Sequence, residues 1–187
     1  MATPRIISGK AKGLRLYPVS GDSTRPITDR VKENLFNIIG QDILDVDFLD
    51  VFGGTGSVGL EAVSRGAAFC RFIEKNANAH ATLKRNIEHT RLSKQTQLLY
   101  MDAFQHLKQT ADRKFDIIYI APPQYKKMWI DTLKVLDNNP TWFKPFTWLI
   151  VQIHPVEFEE LPTFEHFTQF EQRTYGSTML IFFETNE

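Results

Sequence analysis

The residues best placed to do chemistry in this 187-residue chain are a carboxylate, Asp50, and the glycine-rich turn that follows it. The stretch reads Phe48-Leu49-Asp50-Val51-Phe52-Gly53-Gly54-Thr55-Gly56-Ser57-Val58-Gly59. Glycine is needed where backbone passes close to a ligand or takes a positive φ. Gly54, Gly56 and Gly59 also spell G-x-G-x-x-G, the dinucleotide fingerprint. A dinucleotide would bring its pyrophosphate to this turn, and a neighbouring carboxylate repels it. S-adenosylmethionine has no phosphate and carries an ammonium and a sulfonium, both attracted by an acidic strand end. Asp50, Phe52, Gly53, Gly54, Thr55 and Gly56 are therefore read as the binding turn for a methyl donor.

Two more carboxylates occupy equivalent places. Glu74, followed by Lys75, closes the next apolar run, where an acid can accept from ribose hydroxyls. Asp102, followed by Ala103, comes after a third run, where it can accept from an adenine amine. Asp102 could equally cap its own helix. Three acids at three successive strand ends suit a cationic adenosyl ligand. After a fourth run comes Ala121-Pro122-Pro123-Gln124-Tyr125. Other chemistry finds little support: the five histidines lack metal-ligand spacing, no metal site is expected, and Ser57 and Ser64 form no nucleophile elbow. Cys70 lies in an apolar stretch and is read as a buried, inert thiol.

The elements that must position these residues alternate. Strands are predicted at 47–52, 69–74, 96–100, 115–120 and 147–153, and helices at 57–65, 77–90, 103–111 and 126–137. Phe115-Asp116-Ile117-Ile118-Tyr119-Ile120 is nearly continuous hydrophobe, as in a parallel sheet covered on both faces. Thr28 is placed to cap an earlier helix whose Val31, Leu35, Ile38 and Ile39 form one stripe. Segment 5–18, with Gly9 and Gly13, reads as a short β-hairpin. The last strand-like runs flank Tyr175-Gly176-Ser177 and form a closing antiparallel pair. This is a doubly wound α/β domain, 1–187, with residues 1–23 as a basic extension and 24–187 as the core.

Length and composition agree with one globular domain: 42% of residues are hydrophobic and 24% charged. No apolar run reaches the roughly 18 residues of a membrane span, and the beginning of the chain has no signal-peptide core. A cytoplasmic, monomeric protein is expected, without membrane contact. Net charge is zero, but Arg5, Lys10, Lys12, Arg15, Arg25, Arg30 and Lys32 outnumber the acids among the first 35 residues. Such a stripe can bind phosphates by counterion release, or it can be a solvated, charge-protected edge.

On these residues the chain resembles the bacterial small-subunit ribosomal RNA guanine-N2 methyltransferases of the RsmD type. The resemblance is carried by Arg5-Ile6-Ile7-Ser8-Gly9-Lys10, by the Thr24-Arg25-Pro26-Ile27-Thr28-Asp29-Arg30 stretch continuing to Asn37, and by the glycine turn. Gly59-Leu60-Glu61-Ala62, Ser64-Arg65-Gly66-Ala67, Phe72-Ile73-Glu74-Lys75 and Tyr175-Gly176-Ser177-Thr178 extend it nearly end to end. It implies a Rossmann-like class I methyltransferase fold: a seven-stranded, mostly parallel sheet with an antiparallel last strand, plus an N-terminal hairpin. It also implies S-adenosylmethionine as donor and a guanine amine of small-subunit rRNA, naked or in a preribosomal particle, as acceptor. Lys10, Lys12, Arg15, Arg25 and Arg30 would then hold RNA.

One departure falls on the chemistry. The family's Asp/Asn-Pro-Pro-Tyr/Phe, whose acid or amide accepts an N–H of the target amine, reads Ala121-Pro122-Pro123-Gln124 here, with the aromatic displaced to Tyr125. Ala121 makes no side-chain hydrogen bond, although the Pro122 carbonyl remains. Gln124 or Asp29 could approach the amine and Tyr125 could stack on the base. A catalytically degenerate protein that binds S-adenosylmethionine and RNA during ribosome assembly is the second reading, and an NAD-dependent oxidoreductase the third.

Overall fold

The structure, a computed structural model, describes residues 3–21, 26–124 and 127–186. Five parallel strands come first: β1 (Asp47–Asp50), β2 (Phe69–Glu74), β3 (Thr96–Tyr100), β4 (Phe115–Ile120) and β5 (Phe143–Ile153). β6 (Phe167–Tyr175) and β7 (Thr178–Thr185) follow as a pair around Gly176. The sheet runs β3-β2-β1-β4-β5-β7-β6, and β7 lies antiparallel to both of its neighbours. This is the seven-stranded class I methyltransferase sheet with its last strand reversed. Strand order turns back between β1 and β4, which pair directly. Crevices at the carboxyl ends of open α/β sheets form at such a reversal.

Helices cover both faces. On one, α1 (Asp29–Ile39), α2 (Ser57–Arg65) and α3 (Ala77–Thr90) bury Leu35, Phe36, Leu60 and Leu83 against Phe48, Phe72, Tyr119 and Ile150. On the other, α4 (Ala103–Leu107) and α5 (Met128–Asp137) bring Leu107, Trp129 and Leu133 onto Leu49, Ile118 and Val151. Local chemistry sets the helix starts. The Thr28 hydroxyl accepts from Val31 N at 3.3 Å, and the Asn76 side chain accepts from Ala79 N at 3.0 Å. Gly59 lets α2 lie close against β2: a Cβ there would meet the Phe72 ring at 2.3 Å and the Cys70 sulfur at 2.7 Å.

Boundaries differ from the sequence reading where irregular contacts decide. β1 stops at Asp50 rather than 52, because the glycine turn then leaves the ladder. α4 ends at Leu107 rather than 111, and α5 begins at Met128 rather than 126, residue 126 lying outside the described set. β5 starts at Phe143 instead of 147: Thr147 Oγ1 accepts from Lys144 N and donates to Phe115 O, so the strand continues across Pro145.

The N-terminal hairpin is barely a ladder. Its single bridge joins Arg5 to Arg15, supported by Ile6 N to Leu14 O at 2.9 Å and Leu16 N to Pro4 O at 2.7 Å. Residues 8–13 curl onto the end of α2 instead, where Lys10 N donates to Ser64 O at 2.8 Å. Gly9, at φ +83°, sits so close that a Cβ would lie 1.7 Å from Ser64 O. Ile6, Ala11 and Leu16 are buried in the core.

Candidate active site

Asp50 is 2% exposed at the carboxyl end of β1. Burial pushes its acid well above the ordinary carboxylate range; the N–H groups of Gly59 and Phe52 pull it back, and the nearby charge of Glu74 adds to the rise. Its Oδ1 has no hydrogen-bond partner among the described residues. Above it the turn is shaped by positive φ at Gly54 (+53°) and Gly56 (+79°). Gly53 and Gly56 back onto Leu83. Gly54 faces open space, with nothing nearer to a hypothetical Cβ than Phe52 O at 4.0 Å. An unsatisfied buried carboxylate beneath a turn with one bare, open face fits a ligand that carries a cation and lies close to backbone.

The other two acids are tied to the frame of this crevice. Glu74 Oε2 accepts from Gly54 N at 2.9 Å and Oε1 from Asn76 N at 2.7 Å, strapping the turn to the end of β2. Their remaining lone pairs can still take hydroxyls. Asp102 caps α4, accepting from Phe104 N at 2.9 Å and Gln105 N at 3.2 Å, and takes Lys75 Nζ at 3.1 Å. Burial pushes the Asp102 acid up, but Lys75 and these N–H groups outweigh it, so it lies below its ordinary value. Ala103, beside it, is buried. The structure thus gathers Asp50, Phe52–Gly56, Glu74, Lys75, Asp102 and Ala103 at the ends of three adjacent strands. It also gives two of the acids structural duties.

Thr55 is held from below by a residue that the sequence did not single out. Asn86, fully buried on α3, donates to Thr55 O at 2.9 Å and to Tyr17 O at 3.0 Å, and accepts from Tyr17 N at 2.8 Å. The glycine turn and the N-terminal segment share this one side chain. A second anchor is a buried charge cluster. Glu61 accepts from Ile7 N and Ser8 N, pairs with Arg65 at 2.7 Å, and faces Lys32 Nζ at 3.4 Å. Lys32 also reaches Arg5 O and Ser57 Oγ; burial lowers its ammonium, against the pull of Glu61. Partners so remote in sequence leave no periodic signal.

The presumed RNA side is split. Lys10, Lys12, Arg15 and Arg30 are exposed and form no ion pair among the described residues, whereas Arg25 lies outside them. Asp29 pairs with Arg5 at 2.6 Å, both partly exposed.

Ala121, Pro122, Pro123 and Gln124 leave β4 half-buried, and Tyr125 lies outside the described residues. Asp50 pairs in register with Tyr119, so β4 delivers Ala121 next to the crevice. Ala121 packs on the α1–α3 side, the face that also carries Asp50 and Tyr119. A groove lined by Leu44, Asp116, Phe146 and Trp148 lies at the opposite, amino end of the strands.

Comparison with known proteins bears on this geometry. Residues 4–184 match the family described as Conserved hypothetical protein 95. Ribosomal RNA small subunit methyltransferase D of Haemophilus influenzae is 32% identical over 174 residues, covering 92% of this chain and 89% of that protein. The chain belongs to the ribosomal RNA small subunit methyltransferase D family. The solved structure of yhhF from Escherichia coli superposes with a TM-score of 0.85 at 27% identity, covering 99% of each chain. An RNA methyltransferase from Salinibacter ruber, solved with S-adenosyl-L-homocysteine, shares the fold at a TM-score of 0.65 and 11% identity, over 87% of this chain and 95% of that one. Family and fold are thus those of a methyltransferase. No helix among the described residues is long and apolar enough to cross a membrane.

Proposed function

We propose that this protein methylates the exocyclic N2 amine of a guanine in small-subunit ribosomal RNA, with S-adenosylmethionine as donor. The observation that carries this reading is the buried, unpartnered Oδ1 of Asp50 beneath a glycine turn open on one side. When bound, the donor offers a sulfonium methyl: the amine lone pair forms the N–C bond, the S–C pair returns to sulfur as a thioether, and one amine proton leaves to water.

The chain's own groups do the rest. Asp50 and the bare turn take the charged and backbone-facing parts of the donor. Glu74 and Asp102, at the next two strand ends, are placed for its ribose and adenine. The Pro122 carbonyl accepts one N–H of the amine, and Gln124 and Tyr125, the latter outside the described residues, serve the acceptor base. Most of the acceleration comes from holding nucleophile and methyl in line. The amine of a paired guanine must leave its stack, and RNA is usually read at loops and bulges. Lys10, Lys12, Arg15, Arg25 and Arg30 hold the flanking phosphates. A monomer in the cytoplasm, working on free RNA or a preribosomal particle, is part of the same reading.

Ala121 favours the second reading, a degenerate protein that binds donor and RNA without turnover. Calorimetry is expected to give binding of S-adenosylmethionine and none of NAD. Incubation with small subunits from a methylation-deficient strain, followed by nucleoside mass spectrometry, is expected to yield N2-methylguanosine. Binding without any methylated nucleoside would establish the degenerate reading instead.

A further inference from the structure

The family acceptor is missing at Ala121, yet a polar side chain stands beside it on the next strand. β4 and β5 run parallel with Tyr119 opposite Ile150 and Ile120 opposite Val151. One residue further along both strands sets Ala121 beside Gln152. Paired residues of a sheet point to the same face. Tyr119 and Ile150 both face the α1–α3 layer, so Gln152, two residues after Ile150, does as well. It is half-buried at the strand end, open enough to touch a ligand.

Its orientation is fixed. The buried Tyr119 hydroxyl donates to Gln152 Oε1, tying the carboxamide oxygen to the residue that pairs in register with Asp50. An amide oxygen has two lone pairs, and the tyrosine uses one. Burial pushes the Tyr119 phenol well above its ordinary value and the Asp50 charge adds to this, so the hydroxyl stays a donor.

We propose that Gln152 Oε1, held by Tyr119, accepts the second N–H of the target amine and so replaces the side chain that Ala121 lacks. Gln152 is then a catalytic residue and Tyr119 a positioning residue. The inference rests on the methyltransferase reading above. With both N–H bonds accepted, by Gln152 and by the Pro122 carbonyl, the amine nitrogen keeps its lone pair free of the ring for in-line attack. Hydrogen bonds to a nitrogen gaining positive charge are of the stronger, charge-assisted kind.

The test compares wild type with Gln152→Leu, Gln152→Glu, Tyr119→Phe and Gln152→Leu/Ala121→Asp on the small-subunit particles used above. Gln152→Leu is expected to lower kcat about ten- to a hundredfold, with KM for particles raised at most a few-fold and Kd for S-adenosylmethionine unchanged. Gln152→Glu keeps an acceptor and retains kcat within about threefold, and Tyr119→Phe falls in between. Ala121→Asp is expected to restore the Gln152→Leu enzyme by at least tenfold while changing wild type little. A binding readout needs no turnover. An rRNA hairpin carrying the mapped guanosine should bind more tightly than the same hairpin with inosine, which lacks the amine, and Gln152→Leu should narrow that preference, the Pro122 carbonyl keeping part of it. If Gln152→Leu lowers the melting temperature, the Gln152→Glu and double-variant results decide. An active wild type with unchanged kcat in Gln152→Leu overturns this inference alone. A wild type that binds donor and RNA yet transfers nothing overturns it together with the proposed function.

Discussion

A carboxylate sealed at a strand end, with one oxygen unmet, is held against the solvent's preference for its charge. Because burial raises the folded-state value of Asp50, the folded chain binds its proton more tightly than the unfolded one. The associated stability is present below the ordinary carboxylate value of about 3.9 and is lost as pH rises through the raised one. A bound ammonium reverses the cost by giving the charge a partner. Thermal shift by S-adenosylmethionine is therefore expected to grow as pH rises across that window, and to be nearly flat with pH in Asp50→Asn. The same substitution should weaken donor binding about ten- to a hundredfold by calorimetry, the worth of one hydrogen bond to a charged group. The residue type and its place before the glycines were legible from sequence. The duties of Glu74 and Asp102 were only half so. A strand-end acid that straps a turn and one that awaits a ribose look alike until Gly54 N is seen to lie 2.9 Å away. Lys32 was legible only as one charge of a basic stripe, Glu61 only as part of a family motif and Asn86 not at all, because each is polar for the sake of a partner more than twenty residues distant.

Elements were legible where one force decided them. β2, β3, β4, α2 and α3 begin and end where the sequence reading put them: buried apolar side chains decide β2 and β4, and the Asn76 cap starts α3. β5 reaches back past Pro145 to Phe143 because Thr147 closes tertiary hydrogen bonds to Thr185 and Phe115, which no local pattern announces. The N-terminal hairpin is present but short: Ile6, Gly13 and Leu16 bond across it, while Lys10 turns to Ser64 on α2. Two substitutions probe these junctions. Gly59→Ala drives a methyl into Phe72 and Cys70 and should cost about 1–3 kcal/mol of stability in urea unfolding. Asn86→Ala strands the Tyr17 and Thr55 backbone groups in the core. It is expected to lower stability by about 1–3 kcal/mol and also to weaken S-adenosylmethionine binding, because the same side chain holds the Thr55 backbone of the glycine turn.

At the scale of the whole molecule, a chain of zero net charge is expected to bind RNA through one uneven patch. Removing Lys10, Lys12 and Arg15 together should weaken RNA binding and reduce the slope of log affinity against log salt by about two. Donor affinity should be untouched, since none of the three belongs to the glycine turn. An unchanged slope would show that these side chains meet only water. Elsewhere the molecule keeps a record of its own opening. Cys70, with no solvent exposure and a thiol pushed well up by burial, lies directly beneath Gly59, where the helix leaving the glycine turn rests on the sheet. Iodoacetamide can reach that sulfur only after the two layers part. Its slow alkylation counts those partings, and a guest seated in the turn should slow it by one plus the ratio of guest concentration to Kd.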